Sequence, residues 1–353
     1  MFRMFGTTGK PTMNNCIINV IKPEGITSQG VVTAVKRALG VKTAGHCGTL
    51  DPLATGVLPV MVGTAVKASE YLTDHDKLYV AKMRLGVTTN TGDVTGEIIS
   101  KYDGKLPDIE DVISVLPKFV GKIVQVPPMY SALKVGGRKL VDLARQGIEV
   151  ERKGREITIY RLCAEKVGEE IQLSVLCSRG TYIRTLVEDI GNALGCGATM
   201  SALCRSAVGT VTVDENSPKT DKEMLVNTEK ICENCEFKSY TCEIPFCYSF
   251  KPMFSLENGV ELEMLKGGNV SSNGVVQTED VFYMYPKLSF PEFYERLFFN
   301  GCEIYLSKLD KNSPARGASV GDVFRVYSKD GFSALGEVRE YEDGLAVKQK
   351  KRF

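Results

Sequence analysis

The stretch Gly45-His46-Cys47-Gly48-Thr49-Leu50-Asp51-Pro52-Leu53-Ala54-Thr55-Gly56-Val57-Leu58-Pro59-Val60 gathers three glycines and two prolines around one acid. Pro52 keeps Asp51 out of the helical region of backbone space, and the flanking glycines allow a tight chain path. The carboxylate is therefore expected on a rigid loop ahead of an apolar strand, a setting that suits covalent or electrostatic catalysis by an acid. The same residue types fit an Asp-Pro turn whose carboxylate caps nearby amides, and by themselves they favour that commoner outcome. His46 is one of only two histidines in the chain, and no partners for a metal role accompany it.

Two other groupings carry chemistry. Between residues 117 and 155, Lys118, Lys122, Lys134, Arg138, Lys139, Arg145, Arg152, Lys153 and Arg155 face only Asp142, Glu149 and Glu151, a local surplus of six positive charges. Over the whole chain 44 basic residues nearly cancel 43 acidic ones, so a polyanion would have to be gripped locally. Such a run is more often a solvated face. The C-terminal cluster Lys348, Lys350, Lys351 and Arg352 is a weaker signal of the same kind. Cys232, Cys235, Cys242 and Cys247 follow a C-x2-C-x6-C-x4-C spacing; four thiols could hold zinc, but the second pair is looser than a zinc knuckle, and unliganded thiols are the favoured reading.

The elements that must position these residues follow from local pattern. The apolar run 17–21 is a strand ended by Lys22-Pro23-Glu24-Gly25, and Ser28 opens a helix with Val31, Val32, Val35 and Leu39 on one face and Gly40 at its end. Residues 78–86 read as a strand, 108–116 as a helix, and 138–146 as a helix stopped by Gly147. Two β-rich runs span 155–178, and a helix over 181–194 carries Ile183, Leu186, Val187 and Ile190 on its apolar side. This order is not a steady βα alternation, so an α+β fold with a mixed, largely antiparallel sheet and packed helices is expected. Residues 214–252 are polar and read as a cysteine-bearing insertion, 253–290 as a connecting segment, and the short β-rich runs within 291–353 as a small β-barrel domain.

Six ordered segments together resemble the TruB family of pseudouridine synthases. Asp51 lies in a GHxGxLDPxAxGxLP motif followed by Gly63-Thr64-Ala65-Val66-Lys67. Lys22-Pro23-Glu24-Gly25-Ile26-Thr27-Ser28 resembles the family's KPxGxTS, and Lys77-Leu78-Tyr79 with Leu85-Gly86 its tyrosine-bearing strand. Pro127-Pro128-Met129-Tyr130-Ser131-Ala132-Leu133-Lys134, Ala144-Arg145-Gln146-Gly147 and Cys177-Ser178-Arg179-Gly180-Thr181-Tyr182-Ile183-Arg184 match three further family elements. The resemblance implies a pseudouridine synthase fold over residues 15–213 with an RNA-clamping segment at 117–155, and a PUA-like domain at 291–353. It implies isomerisation of uridine to pseudouridine at position 55 of the tRNA T-loop, on a flipped-out base and without a cofactor.

Residue by residue, it makes Asp51 the catalytic acid, Tyr79 the tyrosine that stacks on the base or removes its C5 proton, and Arg184 the partner of the carboxylate. His46, Asp93, Lys22, Lys67, Lys134, Arg145, Tyr182 and Arg205 become RNA-binding candidates. Cys204 stands where some relatives carry a basic residue. The expected partner is the T-arm of tRNA, with no obligate protein partner, and a monomer is the default. A guide-RNA-dependent enzyme and a non-catalytic RNA binder are the rival readings; there is no G-x-x-x-x-G-K-[ST] phosphate loop to support a nucleotide-binding fold.

The remaining bulk properties bound the answer. A chain of 353 residues suits one large and one smaller domain, and 43% apolar with 25% charged residues excludes a wholly disordered chain. Residues 1–10 lack the apolar core of a signal peptide, no uncharged run nears a membrane span, and the cysteine count of 11 is odd. A reduced cytoplasmic protein is expected.

Overall fold

A computed structural model describes residues 15–213, 248–266 and 274–353. In chain order, β1 (Cys16–Lys22) leads to α1 (Ser28–Leu39), then β2 (Ala44–His46), β3 (Thr55–Val62), α2 (Ser69–Thr73) and β4 (Asp76–Leu85). A hairpin of β5 (Val87–Thr89) and β6 (Ile98–Lys101) precedes α3 (Ile109–Val115) and β7 (Gly121–Gln125). A second hairpin, β8 (Lys134–Val135) with β9 (Arg138–Lys139), runs into α4 (Leu140–Ala144). There follow β10 (Arg155–Val167), β11 (Glu170–Cys177), α5 (Ile183–Ala193) and β12 (Ala198–Val213). The described chain resumes with β13 (Tyr248–Ser255), β14 (Val260–Glu261), α6 (Leu262–Lys266) and β15 (Val275–Gln277). The last part holds β16 (Lys287–Ser289), α7 (Glu292–Phe299), β17 (Ile304–Tyr305), β18 (Val323–Ser328), β19 (Gly331–Tyr341) and β20 (Gly344–Arg352).

The large sheet runs β14-β1-β3-β12-β4-β11-β10-β7, with β2 on β3, β13 on β12 and β15 on β1. Only the β1–β14 and β3–β12 pairs are parallel, which gives the expected mixed, largely antiparallel architecture. Two-residue periodicity on β4 turns Lys77, Tyr79, Ala81 and Met83 inward. The buried stripes Val31, Val32, Val35 of α1 and Ile183, Leu186, Val187, Ile190 of α5 join that core, so the helices dock as their sequence pattern dictates. The α1 cap falls one residue earlier than expected: the Thr27 side chain accepts from the Gly30 amide, and Gly40, at φ 66°, closes the helix. This frees Ser28 for another task.

Three expectations change. Residues 138–146 are not one helix. Gly136 and Gly137 have φ of 58° and 82°, the values a tight hairpin turn demands. They draw Arg138 and Lys139 into β9, and only Leu140–Ala144 is helical. The segment read as an insertion to 252 rejoins the large sheet at Tyr248, because β13 pairs along β12. Gly209 permits the approach: a Cβ there would lie 2.2 Å from the Lys251 carbonyl oxygen. The connecting segment likewise completes the large sheet through β14 and β15, and a helix, α7, was not anticipated in the last part.

The C-terminal sheet, β16-β18-β19-β20-β17, curls around Leu288, Phe298, Phe324, Val326, Val338 and Val347. It docks on the larger part through Phe282, whose ring lies 4.9 Å from Tyr71, 5.7 Å from Phe332 and 5.2 Å from Phe353. Lys351 pairs with Glu70 at 2.7 Å and the Lys67 ammonium donates to the Arg352 carbonyl at 2.9 Å. The basic C-terminal cluster is thus largely spent on internal partners, Lys348 on Glu303 and Lys350 on Glu337.

Candidate active site

Asp51 sits in the loop between β2 and β3, and that loop is fastened at every turn. The Ser28 hydroxyl accepts from the Leu50 amide at 2.8 Å and donates to the Leu50 carbonyl at 2.9 Å. The Gly25 amide donates to Pro52 O at 2.8 Å. Lys22, fully buried, spends its three ammonium hydrogens on Pro23 O at 3.0 Å, Pro52 O at 3.1 Å and Ala54 O at 2.5 Å. Arg205, 1% exposed, donates from Nε to Val57 O at 2.8 Å and from Nη2 to Gly48 O at 3.0 Å. Gly56, at φ 98°, lets the Arg205 backbone pass where a Cβ would lie 2.3 Å from its carbonyl oxygen. These interactions rather than the Asp-Pro turn alone hold the carboxylate.

The Asp51 side chain is 37% exposed, while the Arg184 guanidinium behind it is 7% exposed. Arg184 Nη2 lies 3.0 Å from Asp51 Oδ2 and donates to Tyr130 O at 2.6 Å; Nη1 donates to Thr91 O at 2.9 Å and lies 3.7 Å from Asp93 Oδ2. Asp93 is itself held within its turn, accepting from the Thr91 hydroxyl at 3.0 Å, the Thr95 amide at 3.0 Å and the Thr95 hydroxyl. Burial pushes the Asp51 carboxyl above its ordinary value, and Arg184 and Lys22 pull against that while Asp93 adds to it. Burial also lowers Lys22, to about 8, against the pull of Asp51 and Glu24.

Tyr79 points into the core beneath the site, where burial holds its phenol above the usual value despite the nearby Arg205. It stays neutral. His46 ends β2; burial and then Arg205 lower its pKa, so the imidazole is neutral, and its buried Nδ1 has no hydrogen-bond partner. Tyr182 is the N-cap residue of α5, its main chain paired with Gln125.

The expected site residues therefore separate. Asp51, Arg184 and Asp93 come together, with Tyr79 placed next to Arg205. Lys22 and Arg205 do not reach the surface: a cation without exposure cannot touch a phosphate, and both bind loop carbonyls instead. Lys67 is exposed but faces the C-terminal part. Lys134 and Arg145 line an open groove of about 650 Å³ with Gly137, Arg138, Lys139, Asp142 and Gln146. Sequence reading missed Ser28 and Gln125, and took Lys22 and Arg205 for RNA contacts. For Gly56 the motif glycine was a visible signal; for Gln125 there was none. Among the described residues no cluster could hold a metal ion and no helix is long and apolar enough to cross a membrane. Cys232, Cys235, Cys242 and Cys247 lie outside the described residues.

Comparison with known proteins adds the following. Residues 36–183 match the model for the TruB family pseudouridylate synthase N-terminal domain, and residues 184–236 that for the tRNA pseudouridylate synthase B C-terminal domain. The tRNA pseudouridine synthase B of Clostridium tetani is 36% identical over 325 residues, covering 92% of this chain and 95% of that protein. The protein of the same name from Clostridium perfringens is 39% identical over 299 residues, 84% of this chain and 96% of its own. A solved structure described as a Cbf5-Nop10-Gar1 complex superposes with a TM-score of 0.59 at 25% identity, covering 96% of this chain and 85% of that one.

Proposed function

Because this chain belongs to the TruB family of pseudouridylate synthases, we propose that it isomerises uridine to pseudouridine at position 55 in the T-loop of tRNA, with Asp51 as the catalytic carboxylate. Its fold is the pseudouridine synthase fold with a small PUA-like C-terminal domain. The observation that carries the reading is the half-open Asp51 carboxylate paired at 3.0 Å with a buried Arg184. Such an acid is reachable from outside and fixed in direction, and its partner opposes the rise in pKa that burial causes.

The reaction breaks the bond between C1′ and N1, turns the free uracil, joins C5 to C1′, and moves a proton from C5 while N1 gains one. Asp51 attacks the ring or the sugar. A stacked uridine is out of its reach, so the nucleotide must be extruded at a cost of a few kcal/mol. The neutral phenol of Tyr79 supports stacking on the detached ring more than removal of the C5 proton. Neutral His46 suits a hydrogen bond to RNA rather than an ionic contact. The groove of Lys134, Arg138, Lys139 and Arg145 would grip the T-arm backbone, and the PUA-like domain would touch the tRNA away from the pocket. The enzyme works alone, in the cytoplasm, and its own side chains suffice for the chemistry.

The test is position-resolved pseudouridine mapping on an unmodified tRNA transcript, with wild type and Asp51→Asn, without added metal. Pseudouridine at position 55 that disappears in the variant is the expected result. Bound tRNA without product would overturn the activity, and product elsewhere would overturn the site.

A further inference from the structure

Gln125 ends β7, the outermost strand of the large sheet, and is 2% exposed. Its side-chain amide pairs with both main-chain groups of one residue: the Tyr182 amide donates to Oε1 at 2.8 Å, and Nε2 donates to Tyr182 O at 3.1 Å. Tyr182 caps α5, whose N-terminus has no side-chain cap of its own, and Arg184 follows two residues later. Just past Gln125 the chain enters the segment whose Tyr130 carbonyl accepts from Arg184 Nη2. One short stretch thus holds the start of α5 at two points.

We propose that Gln125 is a positioning residue that sets Arg184 against Asp51 and ties that setting to the RNA-clamping segment leading to β8 and β9. This rests on the reading of Asp51 and Arg184 as the reaction centre. Apart from the bonds of Arg184 itself and of the Gly191 carbonyl, which accepts from the Gly197 amide at 3.0 Å near the far end, α5 is held by its apolar face, which is non-directional and leaves the slide and rotation of the first turn weakly determined. An amide that donates and accepts at a single residue fixes both. Arg184 Nη2 is shared between Asp51 and Tyr130 O, so a small shift of α5 breaks one of the two. RNA does not reach Gln125, so any effect of changing it on the chemical step must pass through α5.

Single-turnover rates at saturating enzyme on the tRNA transcript test this, because they read the step within the bound complex and are insensitive to a misfolded fraction. Gln125→Met keeps the length and removes both bonds; the single-turnover rate should fall about 10- to 100-fold, the loss expected of a displacement near 1 Å. In Gln125→Glu the protonated carboxyl donates and accepts as the amide does. Burial raises its pKa, so this variant should match wild type at low pH and sink toward the Gln125→Met rate as pH rises. It also serves should Gln125→Met not fold. A wild-type rate in Gln125→Met, or a deficit in Gln125→Glu that ignores pH, overturns the inference. A wild-type protein that forms no pseudouridine overturns the reading beneath it, and the inference with it.

Discussion

One guanidinium faces two carboxylates at the centre of this protein, and the consequences of removing each are unequal. Arg184→Met leaves Asp51 and Asp93 without their shared counter-charge, and a broken buried pair costs about 3–5 kcal/mol; denaturant unfolding should show it. Asp51→Asn leaves Arg184 still bonded to Thr91 O and Tyr130 O beside Asp93, so turnover should vanish while the melting temperature holds. The pH dependence follows from directions. On the proposed mechanism Asp51 reacts as the carboxylate, and burial raises its folded pKa, so the rate should fall with decreasing pH at a point above the ordinary carboxylate value. Its stability contribution has the opposite sense, fully present below the unfolded value and lost as pH rises through the folded one. Lys22, lowered from 10.5 to about 8, should give an alkaline limb near pH 8, where an ammonium beside Asp51 discharges and one hydrogen bond to the loop is lost. Stability does not fall there from this group: its contribution is present above the unfolded value and lost as pH falls through the folded one. A pH–rate profile of Lys22→Met lacking that limb would check the assignment.

The β2–β3 loop carries Asp51, and its hold comes from neighbours distant in the chain. Ser28→Ala removes both partners of Leu50 and should cost about 1–3 kcal/mol, with faster hydrogen exchange at the Leu50 amide. Two glycines separate strain from crowding. Gly40→Ala meets open space and bears only the left-handed backbone penalty of about 1–2 kcal/mol. Gly56→Ala meets the Arg205 carbonyl at 2.3 Å as well, and its loss should exceed about 4 kcal/mol, in the range where a variant fails to fold. Comparing the two by thermal unfolding isolates the close approach of β12 to β3.

Over the whole molecule, the aromatic cluster around Phe282 joins the two parts. Phe282→Ala should cost about 3–5 kcal/mol and split a single calorimetric transition into two. The charge is carried by the groove of Lys134, Arg138, Lys139 and Arg145. Alanine at Lys134, Lys139 or Arg145 should flatten the salt dependence of RNA binding by about 0.7 in slope per contact removed, leaving the rate at saturation unchanged. Filter binding across a salt series measures it.

The sequence by itself determined the loop of Asp51, the strands and helices whose apolar period is local, and the mixed sheet, because each follows from residues within one or two turns of chain. It placed Asp51, Tyr79 and Arg184 by motif. The resemblance already paired Arg184 with Asp51; only the tertiary structure set their 3.0 Å contact and the burial behind it, since distances between remote segments leave no local pattern. The same holds for β13, whose place comes from the C-terminal half of β12 rather than from any periodicity of its own, and for Gln125. Lys22 and Arg205 show the reason most plainly: a cation in a motif looks alike whether it faces solvent or the carbonyls of a buried loop, and the packing above it chooses.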